Sequence, residues 1–170
     1  MADRAVRAII QDASSGDWSI PEFQREFEWK HEQISILCNS LYKDLPIGIL
    51  TVWKTTKYNE PQMRPVSGRK PLWIVDGQQR ITSLCIMAGI KPYWMKDVDW
   101  QEAFRKRIFL NIEQDGKASI GRPTRKAVAK IPLDELIHKK PGEAQRYIQG
   151  KCSELKFLRI RKLLTWLLVL

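Results

Sequence analysis

Residues 71–90 read PLWIVDGQQRITSLCIMAGI, and the hydrophobic period changes within them. Leu72 to Val75 form a short apolar run with the length of a buried strand. Asp76-Gly77 is a turn signal. Beyond it Ile81, Leu84, Cys85 and Ala88 recur at helical spacing. A buried strand that turns directly into a helix belongs to a sheet with a helix packed on it, which points to a mixed fold. The turn also raises a chemical question, because Gln78, Gln79 and Arg80 stand on the first turn of that helix.

The rest of the chain supplies the partners. Val6, Ile9, Ile10 and Ala13 form one helical face. Pro21 breaks any helix in the next stretch, where Ile20, Phe23, Phe27 and Trp29 suggest an extended segment and a turn. Ile34, Leu37, Cys38 and Leu41 predict a second helix. LPIGILTVWKT is rich in β-formers after a turn at Pro46–Gly48. Residues 56–70, with Pro61, Pro65 and Gly68, read as a loop. RIFLNIEQ and a strand around Lys117–Ile120 suggest a hairpin across Asp115-Gly116, and IPLDELI a strand end entering a helix. Residues 142–170 read as helical with Gly150 as a break. The expected fold is α+β, a small mixed sheet with flanking helices and a helical C-terminus. Its expected division is a main domain over 1–140 and a helical extension over 141–170.

The formal net charge is +10 and is unevenly spread. Residues 1–100 carry 13 Lys and Arg against 12 Asp and Glu; residues 101–170 carry 16 against 7. A basic face binds nucleic acid or simply keeps a protein solvated. The candidates for DNA contact are Arg105, Lys106, Arg107, Arg122, Arg125 and Lys126. Cys38, Cys85 and Cys152 lack CxxC spacing and sit among apolar neighbours, which predicts buried free thiols in a reducing cytosol. His31 and His138 lack metal-ligand spacing and read as surface or capping residues. MADRAVRAII has charges where a secretory signal needs an apolar core, and the apolar tail LLTWLLVL is too short to span a membrane. A cytoplasmic protein is expected.

Two readings of the 72–88 turn stand side by side. Unpaired N–H groups and the helix dipole make a helix start an anion site. Gly77 then permits close backbone approach, Gln78 and Gln79 donate amides, and Arg80 offers a planar fork to phosphate. Asp76 holds a divalent cation or orients water. In the other reading Asp76 caps the helix, Arg80 is its i+4 ion-pair partner, and the glutamines are solvated. A second Gln-Arg pair, Gln24 and Arg25, lies among Phe23, Phe27 and Trp29 and suits a base or phosphate. Its alternative is a packed loop with Arg25 paired to Glu22, Glu26 or Glu28. Gly48 marks a third turn whose backbone could approach a ligand.

The ordered set Ile20-Pro-x-Phe-Gln-Arg-x-Phe-x-Trp29, Pro46-Ile-Gly48 and Val75-Asp-Gly-Gln-Gln-Arg-Ile-Thr-Ser-Leu84 resembles the N-terminal, GmrS-like domain of GmrSD-type modification-dependent restriction enzymes, a family related to SspE and BrxU. FLNIE at 109–113 and IPLDEL at 131–136 fit its later strands, so the resemblance covers roughly residues 5–140. It implies a ParB/sulfiredoxin-like fold that binds and hydrolyses nucleoside triphosphate with a divalent cation, Mg²⁺, and serves phage defence by sensing modified phage DNA. It assigns catalysis to Asp76, Gln78 and Arg80, with Asp76 as the metal ligand. Nucleotide binding falls to Gln24, Arg25, Gly48, Gly77 and Gln79. Family enzymes continue into an HNH-type nuclease; no such constellation stands among these 170 residues, so the nuclease is expected on another domain or subunit. Phe27 replaces a frequent Tyr. A non-catalytic DNA-binding module of the same system, or a degenerate remnant, are the alternatives.

Overall fold

A computed structural model describes residues 5–54 and 72–152. The elements run α1 (Val6–Ser15), β1 (Trp18–Ser19), α2 (His31–Tyr42), β2 (Thr51–Lys54), β3 (Leu72–Asp76) and α3 (Gln78–Ala88). They continue through α4 (Asp97–Phe104), β4 (Phe109–Glu113), β5 (Ala118–Gly121), β6 (Ala127–Pro132), α5 (Leu133–Ile137) and α6 (Pro141–Lys151). The α+β class stands. The expected loop at 56–70 and the helical segment beyond Cys152 lie outside the described residues.

The single mixed sheet is corrected to two three-stranded sheets. In the first, β3 lies between β1, parallel to it, and β2, antiparallel to it. In the second, β4 lies between β5 and β6, both antiparallel. The reason is α3. All its residues except Arg80 are buried, so it needs walls on every side. It packs against α1, α2 and α5, and α2 packs on β5 as well. Both sheets thus feed one core, in which Ile74 of β3 and Ile112 of β4 are fully buried.

Three further sequence readings meet the structure here. Ala144, Ile148 and Cys152 join the common core, so α6 packs on the main body across the expected division at 140. Gly150 is the second-last residue of α6, which ends at Lys151, so the helix stops within a residue of the expected break. Helix α4 carries no signal in the sequence reading, since only Ala103 of its eight residues is buried. Among the described residues no helix is long and apolar enough to cross a membrane.

Asn111 holds the β5–β6 connection. Its side chain is 1% exposed, donates to the Arg122 carbonyl at 2.8 Å and accepts from the Thr124 N–H at 3.0 Å. Asn111→Ala removes both bonds from a buried site and should cost about 2 kcal/mol. Urea unfolding checks this: an unchanged midpoint would show that the turn holds without its staple.

Candidate functional site

The strand–Gly–helix expectation is met: β3 ends at Asp76, Gly77 lies at φ +104°, and α3 begins at Gln78. A Cβ on Gly77 would lie 2.3 Å from Leu50 Cδ2, so the glycine makes room for protein atoms from the neighbouring loop. Gly48, at φ +88°, does the same for Arg80, whose Nη1 would lie 2.5 Å from a Cβ there. Both positions are left-handed turns that glycine adopts without strain.

The side chains of the motif turn inward onto main chain. Arg80 Nη1 donates to the Ile47 carbonyl at 2.9 Å and Nη2 to the Ile49 carbonyl at 2.8 Å. Nη2 also meets Asp76 Oδ2 at 2.8 Å. Gln78 Nε2 donates to the Arg25 carbonyl at 2.9 Å. Gln79 makes three bonds: Nε2 donates to the Glu26 carbonyl at 2.8 Å, and Oε1 accepts from the N–H groups of Glu28 and Trp29 at 3.0 and 3.2 Å. Gln24 Nε2 closes the ring by donating to the Val75 carbonyl at 3.0 Å. The loops 24–29 and 47–49 are therefore clasped to the start of α3, and three stretches distant in sequence meet at one junction.

This geometry answers the chemical question part by part. The i+4 ion pair of Asp76 and Arg80 is present; the cap is not, since Gly77 occupies the N-cap and no side chain bonds there. The glutamines are buried rather than solvated. Arg25 pairs with Glu28 at 3.2 Å, and both remain well exposed. On the rim stand Arg25 and the Asp76 carboxylate, both 69% exposed, while the Arg80 side chain is 16% exposed. Among the described residues no group of three or more His, Cys, Asp or Glu side chains is placed to hold a metal. A cation here would rest on the lone carboxylate of Asp76.

Beside the junction lie two adjoining cavities, of about 190 and 690 Å³. Gln78 reaches the smaller and Gln24 the larger. Their walls include Thr82, Trp94 and Asp99, which sequence reasoning passed over. Trp94 and Asp99 come from the chain around α4, where no apolar pattern announces structure; Thr82 reads simply as a helix residue.

The basic candidates divide. Arg107 is committed internally, with Nε and Nη2 on the two Asp134 carboxylate oxygens at 3.1 and 2.6 Å. Arg105 pairs with Glu102 at 3.2 Å on the surface. Lys106 lies over the Phe27 ring, 5.1 Å from its centroid. Arg122, Arg125 and Lys126 are exposed on the β5–β6 connection. His31 Nε2 lies 3.3 Å from the Arg107 carbonyl and His138 Nε2 2.7 Å from that of Ala88 at the end of α3. Burial holds His31 below its ordinary pKa; the Arg107 carbonyl opposes this, and the charges of Arg122 and Lys106 reinforce it. The three cysteines are free and buried, and desolvation pushes Cys38 and Cys85 up to about 12, which leaves them inert as thiolates.

Comparison with known proteins gives two matches. The family model described as GmrSD restriction endonuclease, N-terminal domain, matches residues 6–162. The uncharacterized protein MJ0686 of Methanocaldococcus jannaschii is 32% identical over 119 residues. That match covers 63% of this chain and 20% of the archaeal protein, so the chain spans about a fifth of its relative's length.

The clasp predicts an order of stabilities. Gln79→Ala leaves two N–H groups and a carbonyl without partners and should cost about 3 kcal/mol, whereas Gln78→Ala loses one bond and should cost about 1 kcal/mol. Denaturant unfolding of both variants measures this. Equal, small losses would mean that the 24–29 loop is held by packing alone.

Proposed function

Because the chain belongs to the family of GmrSD restriction endonuclease N-terminal domains, we propose that it is the domain that binds and hydrolyses nucleoside triphosphate in a phage-defence, modification-dependent restriction system, acting on modified DNA with an HNH-type nuclease domain or subunit. Membership makes the chain a restriction-system domain. The observation that supports the nucleotide reading is the convergence of both Gln-Arg turns and the Gly48 loop at the start of α3.

In this reading the buried amides act as positioning groups. Gln78 and Gln79 fix the main chain of 25–29, so that Arg25 stands beside the end of β3 with its side chain free to move from Glu28 to phosphate. Asp76 would hold the nucleotide's cation, and the Arg80 Nη2 hydrogen now on Asp76 would then serve the phosphoryl oxygens, while the bonds to the Ile47 and Ile49 carbonyls keep the guanidinium in place. The donor set suits Mg²⁺, which binds through one or two carboxylates plus substrate phosphates and neutralises charge on the phosphoryl oxygens. Asp76 would supply the carboxylate. Water attacks the terminal phosphorus, the bond to the bridging oxygen breaks, and the nucleoside diphosphate and inorganic phosphate leave, with the water's proton passing to solvent.

Phosphate release and melting temperature, measured together with Mg²⁺, test this. Arg80→Ala should abolish turnover, since removing a cation from a phosphoryl-transfer site costs orders of magnitude in rate. It should also lower the melting temperature, because two carbonyls lose their donor. Asp76→Asn should keep the fold and much of the nucleotide binding but impair hydrolysis. Arg25→Ala should weaken nucleotide binding with no loss of stability. Equal phosphate release from wild type and Arg80→Ala sinks the enzymatic reading.

A second reading is favoured by one observation: the side-chain donors of Gln78, Gln79 and Arg80 already meet protein oxygens. The domain would then be a non-catalytic DNA-binding module, with Arg122, Arg125 and Lys126 on the backbone. Its affinity for duplex DNA should fall steeply with salt, because phosphate contacts release counterions. Arg125→Ala should flatten the salt slope, whereas Arg107→Ala should lower stability. DNA affinity that ignores salt, or is absent at low salt, leaves the basic face as a solubilising surface.

A further inference from the structure

Strand β2 alternates in its burial. Leu50 and Val52 pack on the core, whereas Ile49, Thr51 and Trp53 around them are exposed. In β3, Ile74 enters the core beside its partner Val52, and Trp73, the partner of Trp53, faces the other way. Strict alternation would turn Asp76 to the core side with Ile74. The ladder slips instead: Val52 pairs with Ile74 but Thr51 pairs with Asp76, so Val75 is an extra residue in β3. A β-bulge of this kind re-aims a side chain. Asp76 is thereby brought to the face of its partner Thr51, which is also the face of Trp53. Val75 and Asp76 are both exposed.

The result is an apolar surface that ends in a carboxylate. Trp53 is 45% exposed, and Ile49 and Val75 are exposed with it. Val75 precedes Asp76 in the chain. The Ile49 carbonyl accepts from Arg80 Nη2, the nitrogen that also meets Asp76, so Ile49 borders the ion pair. Large apolar side chains exposed together mark a contact surface. Trp53 stands two residues along β2 from Thr51, the partner of Asp76, an interval of about 7 Å. The ribose and first phosphate of a nucleotide can bridge such an interval. The aromatics that flank Gln24 and Arg25 are less suited to a base. Phe27 and Trp29 pack against the core, and Lys106 lies over the Phe27 ring. Phe23 stands on a turn closed by the Gln24 N–H and the Pro21 carbonyl, with no paired strand to fix its ring.

We propose, resting on the nucleotide reading above, that Trp53 carries the nucleobase of the triphosphate. The base stacks on the exposed part of the indole, Ile49 and Val75 border it, and the phosphates run along β2 towards Asp76 and Arg80. Every base offers a π-face, so this platform separates nucleotides from inorganic phosphates rather than one base from another. Trp53 is thus a specificity residue: it sets affinity for the nucleotide and leaves the chemical step to the groups at the start of α3.

Calorimetric titration of the full chain with Mg²⁺ separates base from phosphates by two probes, the hydrolysis-resistant β,γ-imido analogue of ATP and inorganic tripolyphosphate. Wild type should bind the analogue about tenfold more tightly than tripolyphosphate. Trp53→Ala should lose about tenfold in affinity for the analogue yet bind tripolyphosphate as wild type does, which also establishes that the variant is folded. Trp53→Phe keeps a π-face and should recover most of the loss. The role of Trp53 is overturned, with nucleotide binding left standing, by any of three results: wild type binds both probes equally, Trp53→Ala weakens neither probe or both alike, or Trp53→Phe binds no better than Trp53→Ala. If wild type binds neither probe, the nucleotide reading itself fails and the platform falls with it.

Discussion

Helix α3 is buried from Gln78 to Ala88, Arg80 excepted, yet it begins with two carboxamides and a guanidinium. Polar groups taken from water must find partners or the fold loses about 1–3 kcal/mol for each. The partners found are main-chain groups of Arg25, Glu26, Glu28, Trp29, Ile47 and Ile49. The rest of the molecule follows from this requirement. Two loops must come to the start of α3, glycines must stand at 48 and 77 so that they can come close enough, and helices must cover the remaining sides. The motif thus unites a structural demand with whatever chemistry takes place on its rim.

Much of the architecture was legible because it is written in local pattern. The helical face of α1, the strand–Gly–helix at 72–88 and the hairpin across Asp115-Gly116 all appear where period and turn residues place them. Helix α4 and the split into two sheets do not, for different reasons. Helix α4 buries one residue, so it has no apolar stripe to read. The split depends on how a helix buried on all sides is enclosed, which is a property of packing and not of any segment.

The candidate site was legible in its members and not in their directions. Gln24, Arg25, Gly48 and residues 76–80 do gather, as their order along the chain suggested. That Gln78 and Gln79 spend their amides on backbone some fifty residues away leaves no trace in side-chain identity, because main-chain acceptors have none. The same holds for Arg107, whose bidentate pairing with Asp134 removes it from a row of basic residues that look alike in sequence. Charge counting found a basic half of the chain; only three dimensions separate its free cations from its committed ones.

The clasp reads the 24–29 loop through carbonyls and N–H groups alone. Every residue type except proline supplies those atoms in the same positions. The curve of the loop is consequently insulated from its lettering: the exposed side chains at 25, 26 and 28 can be exchanged without loosening the bonds that hold their main chain. A rigid path with free choice of outward chemistry is the arrangement by which an immunoglobulin presents its variable loops. Here two glutamines on the first turn of a helix provide it.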